Sequence, residues 1–251
     1  MITLSMTYKE MYDNLASDKH KVDICKNKLL PKAIRAFKED MKFPRIKCYE
    51  YTIPSTSNHY IIFFYAENRT MADNPIIGDF FYIFDNSQRF VVRWVASPYK
   101  HTETSEIVLL RQLQVFTYHF FQRYNERFLK KDSLSSNEIA ATFLARNMIF
   151  TPIEVNEEIN RNTTTHGENN YAFKIRDGFC FTKSAMQGEF DEYRMRENDI
   201  VDAACFVYTT FLSSSEMSDL QKDAIKKQST EAWKRLYDDF AQGNITLTLN
   251  R

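Results

Sequence analysis

Between Arg45 and Ala96 the sequence takes a period of two, with β-branched and aromatic residues dominating, and this commits that part of the chain to strands. Four runs carry the pattern: Arg45 to Ile53, His59 to Ala66, Asp79 to Phe84 and Arg89 to Val95. Turn formers separate them. Pro54, Ser55, Ser57 and Asn58 follow the first run, a longer stretch from Asn68 to Pro75 follows the second, and Asp85, Asn86 and Ser87 make a tight turn before the fourth. Successive runs joined in this way read as an antiparallel meander.

Helical spacing surrounds this region. From Thr7 to Met41, Met11, Leu15, Ile24, Leu29, Ala33 and Phe37 recur at helical steps, and Pro31 divides the stretch into two expected helices. A long amphipathic helix is expected over Glu106 to Lys130, with Leu110, Leu113, Thr117, Phe121, Tyr124 and Phe128 on one face. A second helix, Asn137 to Asn147, begins where Ser135 and Glu138 have capping-box spacing. Tyr171 to Lys183 reads as a hairpin turning at Asp177-Gly178. Ile200 to Leu212 suits either a buried helix or a strand, and Ser213 with Glu216 opens a helix running towards Phe240. The expected fold class is α+β: an antiparallel meander sheet with flanking helices and a long central amphipathic helix.

A chain of 251 residues with 43% hydrophobic content can bury a sizeable core, and it is read as one domain, 1–251. The polar stretch Pro152 to Asn170, the best candidate for a mobile loop, is where a subdivision into 1–151 and 171–251 would fall. Basic and acidic residues balance at 33 each, so no net field draws the chain to nucleic acid or anionic lipid, and contact with RNA needs a local basic patch. Cys25, Cys48, Cys180 and Cys205 form no Cys-x-x-Cys pair and read as reduced core residues. With no apolar run long enough for a bilayer and no apolar signal core at the N-terminus, a cytoplasmic location without a membrane partner is expected.

Motifs with a chemical mechanism are few. Neither a glycine-rich phosphate loop nor a nucleophile elbow is present, and no metal or other cofactor is expected. His101 with Glu103 and Glu106 lacks the second histidine a metal site needs and reads as a solvated helix start, and the charged mixture Glu189 to Asp199 reads as an exposed, salt-bridged segment. His119, Arg123 and Arg127 follow one another at four-residue steps, so on a helix they share a slowly drifting stripe and can meet one phosphate. An imidazole moves protons near neutral pH, and two guanidiniums hold a phosphate by forked hydrogen bonds. The plainer reading has Arg123 paired with Glu126 or Asn125, Arg127 solvated at the helix end, and His119 an ordinary surface residue.

The run from Thr117 to Phe128, followed by Leu134 to Ile139, resembles the segment of toxin-like ribonucleases of the barnase and RelE type in which a histidine and two arginines precede a second helix and a hairpin. The resemblance covers about a quarter of the chain. It implies His119 as the proton-transfer residue, Arg123 and Arg127 as phosphate binders, and Lys174 and Thr182 on the hairpin as further substrate contacts. Two functions follow as expectations. One is a non-catalytic module that binds a protein partner through the helical hairpin and the meander surface; the other is an RNA phosphodiesterase using the histidine and arginines.

Overall fold

The computed structural model describes residues 2–3, 5–85, 88–99, 108–153, 171–184 and 204–242. Its strands are β1 (Arg45–Thr52), β2 (His59–Ala66), β3 (Ile76–Asp85), β4 (Gln88–Tyr99), β5 (Val108–Thr117), β6 (Thr151–Ile153), β7 (Tyr171–Ile175), β8 (Gly178–Ser184) and β9 (Ala204–Ser213). All nine join one sheet in the order β1-β2-β3-β4-β5-β9-β8-β7-β6. Every neighbouring pair is antiparallel except β5 with β9. Among the described residues there are four α-helices, α1 (Tyr8–Glu39), α2 (Tyr118–Tyr124), α3 (Ser136–Arg146) and α4 (Asp219–Ala241), which makes the chain α+β.

The sheet is covered on both sides. Because alternate residues face opposite ways, Tyr60, Ile62 and Phe64 of β2 meet Leu15, Val22, Ala33 and Phe37 of α1, while Ile61, Phe63 and Tyr65 join the layer built with α2 and α3. In that second layer Phe116, Phe120, Phe121, Tyr124, Phe143, Tyr208 and Phe211 pack mostly edge to face, with Phe116 and Tyr208 stacked at 4.3 Å. At the far end Ile225 of α4 closes over Ile153, Ala172, Phe179 and Phe181.

Two local devices keep the faces consistent. Thr182 pairs with Tyr208 and Phe181 with Thr210, so Thr209 is the extra residue of a β-bulge. The inserted residue lets Tyr208 and Phe211, three positions apart, point into one aromatic layer. Gly78 lies opposite Phe63, whose ring occupies the space where a side chain would stand, so even an alanine there would force the ring aside.

Three expectations are corrected here. The N-terminal stretch is a single helix that runs through Pro31; the ring is on the exposed side, and the apolar face continues beyond it through Ala33 and Phe37. No long helix covers 106 to 130. Residues 106 and 107 lie outside the described part, Val108–Thr117 is strand β5, and the helical portion is α2 followed by a π-helical turn, Asn125–Leu129. Buried on both faces from Gln112 to Phe116, β5 has the near-continuous burial of a central strand, and Thr117 ends it by accepting a hydrogen bond at Oγ1 from the Phe120 amide. Ser213 and Glu216 do bond to each other, but the last helix starts later, at Asp219, with Ser218 and Gln221 making the reciprocal cap.

The α3 capping box between Ser135 and Glu138 is present, and the ambiguous run near 200 to 212 is strand from Ala204 onward. The polar stretch over 154–170, His101 with Glu103 and Glu106, and the charged segment Glu189 to Asp199 lie outside the described residues. Phe143, fully buried and touching five other aromatic rings, is the centre of the second layer. Phe143→Ala is expected to cost about 3–5 kcal/mol. A urea melt checks this, and a loss under about 1 kcal/mol contradicts the packing described.

Candidate functional site

His119, Arg123 and Arg127 emerge on α2 and the turn after it, but they do not converge on an open point. Arg123 donates from Nε to His119 Nε2 at 3.3 Å and pairs through Nη1 with Glu126 at 2.9 Å. Arg127 turns the other way, donating to the Phe211 carbonyl at 2.6 Å and pairing with Glu216 at 3.1 Å. The two guanidiniums therefore serve different elements. Lys174 reaches across to Ser229 of α4 at 3.0 Å, and Thr182 is fully buried inside β8.

A different polar cluster occupies the centre of the second layer. The hairpin turn falls at Arg176 and Asp177, one residue earlier than expected, because Gly178 already pairs with Ile175. Gly178 is required there, since a side chain would run into the Leu212 carbonyl oxygen on β9. Asp177 points inward, its side chain 2% exposed. Its carboxylate accepts hydrogen bonds from Tyr124 Oη at 2.7 Å, from Arg146 Nε and Nη2 at 2.8 and 2.7 Å, and from Asn147 Nδ2 at 3.1 Å. The Asp177 amide donates back to Asn147 Oδ1 at 3.0 Å. Arg146 continues to Tyr65 Oη at 3.3 Å and Glu67 at 3.2 Å, and Arg176 also holds Glu67.

Burial alone pushes the Asp177 carboxyl up, but the donors from Arg146, Tyr124 and Asn147 outweigh it and leave the carboxyl below its ordinary value. Burial and the adjacent Asp177 raise the Tyr124 phenol, while the bond to Asp177 raises Arg146. Each group is thus fixed in the charge state that serves the cluster. A buried carboxylate that takes four hydrogen bonds from Tyr124, Arg146 and Asn147 is held by its own fold, and we assign this cluster to structure. Sequence spacing could not reveal it, because its members come from β2, α2, α3 and the β7–β8 turn.

The exposed surface offers a second arrangement. Lys28, Lys32 and Arg35 follow the i, i+4, i+7 rule and form one solvent-facing ridge of α1, with no hydrogen bond or ion pair among the described residues. The ridge leads to the edge strand β1, where the Lys32 ammonium stands 5.1 Å from the Tyr49 ring centre and Lys47 lies over Phe37. A groove of about 500 Å³ runs along β1, from Arg45 to Glu50 on one wall and Ser135, Asn137 and Glu138 at the start of α3 on the other. Cys48 in that groove is pushed up to about 12 by burial, which keeps its sulfur a protonated, poor nucleophile.

All four cysteines are free, although Cys25 and Cys48 are only half-buried. Among the described residues, no three His, Cys, Asp or Glu side chains gather as metal ligands, and no helix is long and apolar enough to cross a membrane. Comparison with known proteins finds no matching family model, and no significant match to a curated protein or to a solved structure.

Asp177→Asn leaves Arg146 half-buried with only Glu67 to balance it, and is expected to cost about 3 kcal/mol in a urea melt. The pH dependence follows from the lowered carboxyl. Its contribution is complete above the unfolded value of about 4 and fades as the pH falls through the lower folded value. Wild type should therefore lose stability below about pH 4 more steeply than Asp177→Asn. Parallel acid curves for the two proteins contradict the assignment.

Proposed function

We propose that this chain is a non-catalytic interaction module that takes an acidic, extended segment of another protein as an added strand on β1. The observation that carries the reading is the coincidence of an open sheet edge with an unpaired cationic ridge beside it. An eight-residue edge strand presents backbone donors and acceptors to any extended chain, and among the described residues no strand pairs on its outer side. Lys28, Lys32 and Arg35 favour a partner of negative charge and would speed its arrival. Strand addition uses peptide groups on both sides, so this edge fits a polypeptide better than a nucleic acid.

The RNA phosphodiesterase reading, based on the resemblance to toxin-like ribonucleases, is the weaker one. It needs Arg123 and Arg127 to release Glu126 and Glu216 before they can share a phosphate with His119.

A peptide alternating glutamate and valine, followed by fluorescence anisotropy and amide hydrogen exchange, tests the proposal. It should bind more tightly at low salt, protect amides of β1, and lose about tenfold or more in affinity to Lys32→Glu combined with Arg35→Glu. Binding without β1 protection, or tighter binding of a single-stranded RNA of equal charge, counts against it.

A further inference from the structure

β3 and β4 pair only from Phe81 opposite Val92 to Asp85 opposite Gln88. Before Phe81, β3 pairs with β2 alone, and beyond Val92, β4 pairs with β5 alone. The sheet is therefore forked, and a cavity of about 370 Å³ opens in the fork, between α1 on one face and the end of α3 on the other. Its volume falls in the lower part of the range for small-molecule sites, about 300–1,000 Å³. Phe63, Ile77, Trp94, Leu144 and Met148 supply apolar walls.

The polar groups in and beside the fork are unequal. Lys26 is held by Asp23 and Asp79, and Lys19 lies over the Trp94 ring at 5.5 Å. Arg93 makes no hydrogen bond or ion pair among the described residues, although it is partly buried and lines the cavity. Directly across the β4–β5 ladder, Gln114 donates to Tyr208 Oη at 3.1 Å while its own Oε1 is buried with no partner. Removal from water depresses the Arg93 guanidinium, and among the described residues Tyr208 and Asp79 offset that cost only in part. A cation kept in this condition weakens the fold unless something outside the chain completes it.

We propose that the fork is a binding site for a small carboxylate with an apolar body, its carboxylate taken by the Arg93 fork and its body laid against Phe63, Leu144 and Met148. One guanidinium matches one carboxylate through two parallel hydrogen bonds. A dianion such as phosphate is a poor fit, because Asp23 and Asp79 stand at the same cavity and repel the second charge. This site is separate from the β1 edge and stands or falls independently of it.

Octanoate, acetate and 1-octanol titrated into the full chain by calorimetry test the assignment. Octanoate should bind with a Kd of about 0.1–1 mM, and acetate and 1-octanol each at least about tenfold more weakly, since each lacks half of the recognition. Arg93→Gln should weaken octanoate by roughly 10- to 100-fold, the value of a charge-assisted hydrogen bond. The same substitution should raise the melting temperature of the unliganded chain by about 2–4 °C. Met148→Trp, at an exposed position on the rim, should block octanoate while leaving the fold intact. Octanoate affinity unchanged by Arg93→Gln, or no binding to wild type at millimolar concentration, overturns the proposal. A lower melting temperature for Arg93→Gln also overturns it, since Arg93 would then be serving Gln114 and packing alone.

Discussion

The fold turns on the bidentate ion pair between Arg146 and Asp177. Tyr65 and Glu67 lie at the end of β2, whereas Arg176 and Asp177 join β7 to β8, and β3, β4, β5 and β9 stand between them in the sheet. Adjacent strands rotate by about 20–25° on average, so a sheet of nine strands brings its distant corners round towards the same side. α3 lies in the resulting hollow, and Arg146 at its last turn grips both corners, Glu67 on one side and Asp177 on the other. Tyr124 adds α2 to the same carboxylate. Hydrophobic burial packs the sheet against these helices, and the Arg146 contacts hold its two corners to α3.

This arrangement also accounts for what is left open. Curling places the aromatic layer of Phe116, Phe143, Tyr208 and Phe211 at the centre, where each ring meets several others. Strand pairing between β3 and β4 stops at Phe81 opposite Val92, and the fork with Arg93 results. At the sheet's margin β1 has no strand on its outer side among the described residues, while β6 at the opposite margin is only three residues long, contains Pro152 and is crossed by α4. A short strand with a proline is a protected edge, and an eight-residue strand with a cationic ridge beside it is an available one. The asymmetry between the two margins therefore favours β1 as the working surface.

Much of this was legible from residue order, and the exceptions share a physical cause. The runs from Arg45 to Val95 became β1 to β4 because alternation there coincides with good turn residues, and Ser135 with Glu138 marked the start of α3. In β5, both faces are buried, so alternation vanished, and Leu110, Leu113 and Thr117 happened to fall at helical steps. Pro31 suggested a break, yet the ring sits on the exposed side of a helix whose opposite face is anchored by Ala33 and Phe37. The helical stripe of His119, Arg123 and Arg127 was visible, but ion pairing with Glu126 and Glu216 divides it between neighbours. In the sequence Asp177 reads only as a turn former. Its inward role depends on Arg146, Tyr124 and Asn147, which no local spacing brings together.

Native-state hydrogen exchange tests most directly whether the Glu67, Arg146, Arg176 and Asp177 cluster makes the two ends of the sheet a single cooperative unit. Amides of β2 and β8 should open with the same free energy, equal to that of global unfolding, because Arg146 and Arg176 tie Glu67 at the end of β2 to the β7–β8 turn. Exchange of β7 and β8 through a cheaper opening that leaves β1 to β3 protected would contradict it.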